Sequence, residues 1–365
     1  KPAPSRHYKI IDCLTFFNEL ELLRLRINML SAHVDHFVIA EAHQTHTGLE
    51  KDCLLNQEHA ADIVNHPKVT VKTVHLPQNA TPLGRENFQR EALFEPAHNL
   101  STSNDDIILL SDIDEIPSPE AIGRAVMELQ RSDDRKLAVF EQRLFYFRLN
   151  YELVFSRKLP WLGTTATRAF HQVSMNCMRA MGRNLRGRKH RHLNDKSLLR
   201  ISVPLGGWHF SYMGDDERLN RKLASFYHQE AAVQQARATK IEELIASRGS
   251  LFPRLSTHET WAVVPLESLG LPQEILAAIQ HSSLATNCPC TPLGEIVKDA
   301  IRKSSFLSLS IGNMEISLRK KTTNSLSRDP KSCQATFGRL KSRFLPCFRI
   351  PGGIYKVPRS ARHSN

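Results

Sequence analysis

The chain predicts an α/β fold, with a mostly parallel sheet covered by helices on both faces. Three observations carry that expectation. β-branched runs alternate with stretches of helical period, a helix-start signature follows directly on the first run, and the fourth run stops in an acidic loop. With 365 residues, 41% hydrophobic and 24% charged, the chain is long enough for one large domain or two small ones. Disorder, collagen and coiled-coil arrays are excluded by the same composition.

Tyr8-Lys-Ile-Ile-Asp-Cys-Leu-Thr-Phe-Phe17 reads as a buried strand and runs into Asn18-Glu-Leu-Glu21, where Asn18 is expected to cap the free amides and Glu21 to reach back. Leu20, Leu23, Ile27, Leu30 and Val34 keep one face of that helix apolar. Two further strands are expected at His36–Glu41 and Val69–Leu76, and a polar helical stretch from Arg85 to about His98. Ile107-Ile-Leu-Leu110 then supplies the fourth strand. It ends in Ser111-Asp-Ile-Asp-Glu-Ile-Pro117, which places Asp112 and Asp114 near the carboxyl edge of the sheet with Ile113 turned away. Carboxylates this close repel each other unless a cation lies beside them, so the loop points to a divalent metal holding a phosphate. The plainer reading is that Asp114 and Glu115 cap the next turn.

Lys plus Arg exceeds Asp plus Glu by 12, and the excess is unevenly spread. Residues 1–150 hold 16 basic and 22 acidic side chains, whereas 302–365 hold 14 basic and 2 acidic ones. An acidic, site-bearing first half and a basic tail are therefore expected. Seven scattered cysteines argue against a disulfide scaffold and mildly for a reducing compartment. No apolar run approaches the roughly 20 residues that a membrane span needs. The expected location is cytoplasmic or peripheral to a membrane, with the Golgi lumen as the alternative if an N-terminal anchor precedes Lys1.

Several blocks together resemble glycosyltransferase family 17, typified by the enzymes that add the bisecting N-acetylglucosamine of N-glycans. They are Lys9–Leu23, Phe37-Val-Ile-Ala-Glu-Ala42, Arg85-Glu-Asn-Phe-Gln-Arg90, Asp105–Pro117, Phe145-Tyr-Phe-Arg-Leu-Asn150 and Gly207-Trp-His-Phe-Ser-Tyr212. The blocks follow one another in family order over about residues 8–265. The resemblance implies a GT-A-like nucleotide-sugar domain over 8–265, leaving a helical extension at 266–301 and a basic tail at 302–365 whose composition is compatible with disorder. It further implies inverting transfer of N-acetylglucosamine from UDP-GlcNAc to a glycan hydroxyl, β-1,4 to mannose if the chain is like the animal member.

That chemistry needs a cation at the departing diphosphate, and Mn²⁺ or Mg²⁺ suits hard oxygen ligands. Asp114 is expected to ligate directly and Asp112 through water or at the ribose, with His209 as a later ligand or diphosphate contact. Arg85 and Arg90 lie on one helical segment from which they can reach phosphates, Glu41 points to the same rim for the uridine or ribose, and Lys222 approaches the phosphate from a later helix. An inverting transfer also needs a carboxylate base. Asp215 and Asp216 are the first candidates, with Glu115 and Glu86 in reserve, although Asp215 equally fits a helix cap. Tyr146, Asn150, Tyr151 and Trp161, with Trp208 from the Trp-His block, are expected as an acceptor platform, since aromatic rings cover the C–H faces of sugars.

Arg179–His192 carries six basic side chains and no carboxylate, which suggests a loop that attracts the donor diphosphate or an anionic surface rather than a specific nucleic acid. The tail fits acidic phospholipid headgroups. Cys288-Pro-Cys290 lacks a second pair at metal-site spacing. Two other classes compete with a glycosyltransferase. One is a haloacid-dehalogenase-like phosphatase using the Asp-x-Asp loop, and the other a non-catalytic basic surface-binding protein.

Overall fold

The computed structural model describes residues 7–156, 159–184, 195–225, 240–252, 258–280 and 284–303, together with four short strands within 307–356. Three parallel ladders join β1 (Ile10–Phe16), β2 (His36–Ala42), β3 (Val69–Val74) and β4 (Ile107–Asp112) in the order β3-β2-β1-β4. The expected parallel half-sheet is therefore present. Beyond β4 the sheet turns mixed: β8 (Trp161–Arg168) runs antiparallel to β4 and to β6 (Lys136–Tyr146), and β7 (Tyr151–Phe155) antiparallel to β6 and to β11 (Thr260–Val263). Half of the inter-strand pairings are antiparallel, so "mostly parallel" holds only up to β4. The reason is the connection: hairpin-like returns replace helical crossovers once the chain passes residue 130, and only crossovers produce parallel neighbours.

The faces of β1 explain how helices cover the sheet. Ile10, Leu14 and Phe16 pack with α1 (Leu20–Leu30) and α5 (Pro119–Leu129), while Ile11 and Cys13 pack with α4 (Phe94–Leu100) and α6 (Met175–Gly182). Alternation along a strand assigns successive side chains to opposite layers, and both layers are apolar here. The start of α1 differs from the expected capping box. Glu19 occupies the cap position without a side-chain bond to the helix, and its Oε2 accepts from the Asn18 amide at 3.1 Å. The polar stretch before β4 is two helices, α3 (Pro82–Glu91) and α4, because Leu93 turns into the core between them.

The helical extension expected at 266–301 contains the helices Gln273–Gln280 and Leu293–Lys303. Within the basic tail, Leu307–Ile311, Met314–Leu318, Cys347–Ile350 and Gly353–Lys356 pair as a second, antiparallel sheet, and the rest of the tail lies outside the described residues. No helix among the described residues is long and apolar enough to cross a membrane. Cys13, Cys53, Cys177, Cys288 and Cys290 are free thiols.

Candidate functional site

A cleft of about 400 Å³ opens at the carboxyl ends of β1 and β4, where an open sheet of this kind exposes its loops. The acidic loop forms its floor. Thr15 on β1 sits opposite Asp112 on β4, and its hydroxyl bonds Asp112 Oδ1 at 3.2 Å. Ile113 turns into the core as expected, which sets Asp112 and Asp114 on the cleft wall. The loop is held from below by Arg26 of α1, which no solvent reaches. Its guanidinium donates to both oxygens of Asp12 at 2.8 and 2.7 Å, to Ser111 Oγ at 2.7 Å and to the Glu115 carbonyl at 2.9 Å. A buried ion pair with every donor used fixes geometry more than it adds stability.

Among the described residues, four permanent cations meet the loop's carboxylates, one of them Arg183, which stands 3.9 Å from Glu115 Oε1. Arg179 of α6 bonds Asp112 and reaches Glu115 Oε2 at 2.6 Å. Arg90 of α3 stands 3.8 Å from Asp112 and bonds Glu86 one turn back. Lys222, on α7 (Asp216–Ser225), lies 3.0 Å from Asp114 Oδ2 and 2.9 Å from Glu19 Oε1. Burial alone would raise the pKa of both aspartates, but Arg179 and Arg90 hold Asp112 below the usual carboxylate range, and Lys222 and His209 do the same for Asp114. The Lys222 ammonium is shifted upward, since burial is outweighed by Asp114 and Glu19. Arg179 is likewise shifted upward by Asp112 and Glu115 against its own burial.

β10 (Gly207–Ser211) brings in His209. It pairs antiparallel with β5 (Glu115–Pro117), so His209 faces Glu115 in register, and the Phe210 amide donates to the Asp114 carbonyl at 2.8 Å. Gly207 makes this approach feasible: its φ is +122°, and a Cβ there would lie 2.2 Å from the Ile116 carbonyl oxygen. His209 Nε2 stands 3.6 Å from Asp114 Oδ1, while its buried Nδ1 has no hydrogen-bond partner among the described residues. Trp161 stacks on the His209 ring with centroids 4.2 Å apart, carries the Arg183 guanidinium 3.7 Å over the ring, and donates its indole N–H to Glu115 Oε1 at 2.9 Å. Two groups this close to one ring centre must occupy opposite faces. Gly182 lets α6 press against β8, where a Cβ would come within 2.3 Å of Thr165.

The cleft brings together Asp112, Asp114, Glu115, Glu86, Arg90, Trp161, His209 and Lys222, and leaves out Glu41, Arg85, Asp215, Asp216 and the rest of the aromatic block. Glu41 is buried and accepts from Lys51 Nζ at 2.9 Å and from the Leu54 and Leu55 amides at 2.8 and 3.0 Å, so it braces a loop. Arg85 donates to the carbonyls of Pro77, Gln78 and His46 and fastens neighbouring loops. Asp215 accepts from the Arg218 amide at 2.8 Å as the cap of α7, and Asp216 accepts from the Ile241 amide at 2.9 Å, which turns both from the cleft. Glu115 lines the floor, but its carboxylate is fully buried and engaged by Arg179 and Trp161.

The acceptor platform is dispersed. Tyr146 and Tyr151 pack with Trp261, and the Tyr151 hydroxyl donates to the Gly249 carbonyl at 2.8 Å. Asn150 exchanges hydrogen bonds with Thr286, at 3.2 and 2.9 Å. Trp208 is buried, its indole N–H on the Leu269 carbonyl at 2.8 Å. Backbone alternation and the tight turn after Tyr146 send Tyr146 and Tyr151 into a core of their own, Trp208 joins the main core, and of the platform residues only Trp161 stays at the cleft. Sequence reasoning placed Arg179 in a basic loop without seeing that it holds Asp112, and residues 185–194 of that loop lie outside the described residues. Glu19, at the start of α1, is also a cleft residue.

No curated protein matches the chain. Among solved structures, 4-diphosphocytidyl-2C-methyl-D-erythritol synthase from Anaerococcus prevotii DSM 20548 is similar at 10% identity and a TM-score of 0.30, over 53% of this chain and 87% of that one. The 2-C-methyl-D-erythritol 4-phosphate cytidylyltransferase of Francisella tularensis is similar at 11% identity and a TM-score of 0.30, over 60% of this chain and 100% of that one. Likeness this loose bears on neither mechanism nor substrate. Residues 2–159, the segment that builds β1 to β7 and the acidic loop, match Glycosyltransferase family 17, the family that the sequence blocks resemble.

Proposed function

We propose that the protein is an inverting glycosyltransferase that moves N-acetylglucosamine from UDP-GlcNAc to a glycan hydroxyl, on a GT-A-like nucleotide-sugar domain. The family match supports a glycosyltransferase. The observation that carries the finer reading is the meeting of Asp114 and His209, 3.6 Å apart on the wall of a cleft at the end of β4. The two competing classes gain no such support: a phosphatase needs Asp112 free as nucleophile, and Arg179 engages it.

No three His, Cys, Asp or Glu side chains converge among the described residues. A divalent ion at a phosphate site does not need three, because Mg²⁺ usually takes one or two carboxylates and completes its shell with phosphate oxygens and water. Asp114 and His209 fit that donor set, with Asp112 contacting the ion through water or bonding the ribose. Bound Mn²⁺ or Mg²⁺ would supply Lewis-acid neutralisation of the diphosphate as the anomeric bond breaks.

The chain's own residues do the rest. Arg90, Arg179 and Arg183 present planar guanidinium groups from which a diphosphate can accept paired hydrogen bonds. The base must be a carboxylate that faces the cleft. Asp215 and Asp216 do not, and Glu115 is saturated, so we assign proton acceptance from the acceptor hydroxyl to Glu86. Its Oε1 is held by Arg90, and its Oε2 has no partner among the described residues.

A screen of UDP-sugars with Mn²⁺, on wild type beside Asp114→Ala, tests the reading. UDP release is expected from UDP-N-acetylhexosamines alone and is lost in the variant. Equal release in both proteins, or release from a phosphomonoester instead, would overturn it.

A further inference from the structure

Lys222 is held between two buried carboxylates, 2.9 Å from Glu19 and 3.0 Å from Asp114, and its own side chain is 9% exposed. Glu19 comes from the start of α1, Asp114 from the acidic loop, and Lys222 from a helix more than a hundred residues later, so the ammonium ties three separate pieces of the cleft. From this geometry we infer that Lys222 is a resident counter-ion that makes metal binding depend on the nucleotide. The inference rests on the metal reading above and concerns its regulation.

Charge balance is the first step. Five carboxylates face the cleft, from Glu19, Glu86, Asp112, Asp114 and Glu115. Five permanent cations face it as well, from Lys51, Arg90, Arg179, Arg183 and Lys222. Among the described residues that line it, the cleft is thus electrically balanced, as buried charges require. A divalent ion that coordinates Asp114 alone adds two positive charges beside an ammonium that cannot leave, since Glu19 also holds it. Metal without nucleotide therefore binds against repulsion from Lys222. A diphosphate reverses the sign: it brings the anions that the second cation lacks, and Lys222 exchanges its share of Asp114 for a phosphate oxygen. Metal and nucleotide must then tighten each other by the same factor, since linkage is reciprocal.

Two substitutions shift this balance in opposite directions. Lys222→Met removes the resident charge while keeping the stem, so Mn²⁺ alone should bind about tenfold tighter and the tightening by UDP should shrink toward none. Glu19→Gln removes one of the negative charges that offset Lys222 and leaves the ammonium beside Asp114, so Mn²⁺ alone should bind more weakly and UDP should tighten it more than in wild type.

The experiment titrates Mn²⁺ into each protein with and without UDP and reads free Mn²⁺ by electron paramagnetic resonance, with circular dichroism to confirm folding. Opposite shifts for Lys222→Met and Glu19→Gln support the inference. Weaker or unchanged Mn²⁺ binding in folded Lys222→Met, or shifts of the same sign in both, overturns it. If Lys222→Met does not fold, Glu19→Gln decides: tighter or unchanged Mn²⁺ binding without UDP overturns the inference. Wild-type protein that binds no Mn²⁺ even with UDP would instead remove the metal reading itself.

Discussion

Arg26 grips Asp12 through two hydrogen bonds, of 2.8 and 2.7 Å, beneath the acidic loop, with neither side chain exposed to solvent. The same guanidinium holds Ser111 and the Glu115 carbonyl, so the backbone that presents Asp112 and Asp114 is anchored to the first helix. Removing one partner leaves the other charge buried and alone. Arg26→Met is therefore expected to destabilise the protein by about 3–5 kcal/mol, measured by urea denaturation. Asp12→Leu combined with Arg26→Met should recover much of that loss while still releasing the loop. Its activity should then remain low although its stability returns, which separates the anchor from mere folding.

Asp215 and Asp114 differ in task. Asp215 bonds one amide of α7, the role of a cap. Asp215→Ala should cost about 1 kcal/mol of stability and leave UDP-GlcNAc turnover intact. Asp114→Asn should abolish turnover. Steady-state rates beside thermal melts check both, and a collapse of kcat in Asp215→Ala at unchanged stability would return the base to that residue.

Much of this arrangement is legible in the sequence where local pattern governs it. The runs around Cys13, Val38 and Leu109 alternate or stay apolar as buried strands do, and the Asp-x-Asp step after β4 locates the cleft. What local pattern cannot carry is pairing across the chain. Arg26 meets Asp12 only because α1 folds back over β1, and Arg179 meets Asp112 only because α6 packs on β8. The aromatic block is dispersed for the same reason. Tyr146 and Tyr151 have the residue type that sugars favour, but β11 supplies Trp261 to cover them, and nothing near residue 146 announces a partner at residue 261.

Trp161 is sandwiched between Arg183 and His209, so neither ring face is free for a sugar. Its contribution is to orient Glu115 and to back His209. Trp161→Phe keeps a ring and removes the N–H donor, and should lower kcat about tenfold or less with little change in the acceptor KM. A large rise in acceptor KM with unchanged kcat would show that the ring does contact the glycan.

The depressed pKa of Asp114 has a stability consequence whose sign is fixed. In an unfolded chain an aspartate titrates near 3.9, whereas folding lowers the value through Lys222 and His209 despite burial. A group depressed on folding contributes its stability above the unfolded pKa and loses it as pH falls toward the folded one. Lys222 is shifted the opposite way, so its contribution is complete below about pH 10 and declines only above that. The stability gap between wild type and Asp114→Asn should therefore be present at neutral pH, on the order of 3 kcal/mol, and should narrow below about pH 4. Urea denaturation at several pH values reads the gap directly. A gap that widens on acidification would mean that Asp114 is held protonated in the folded protein, and would place the cation at another side chain.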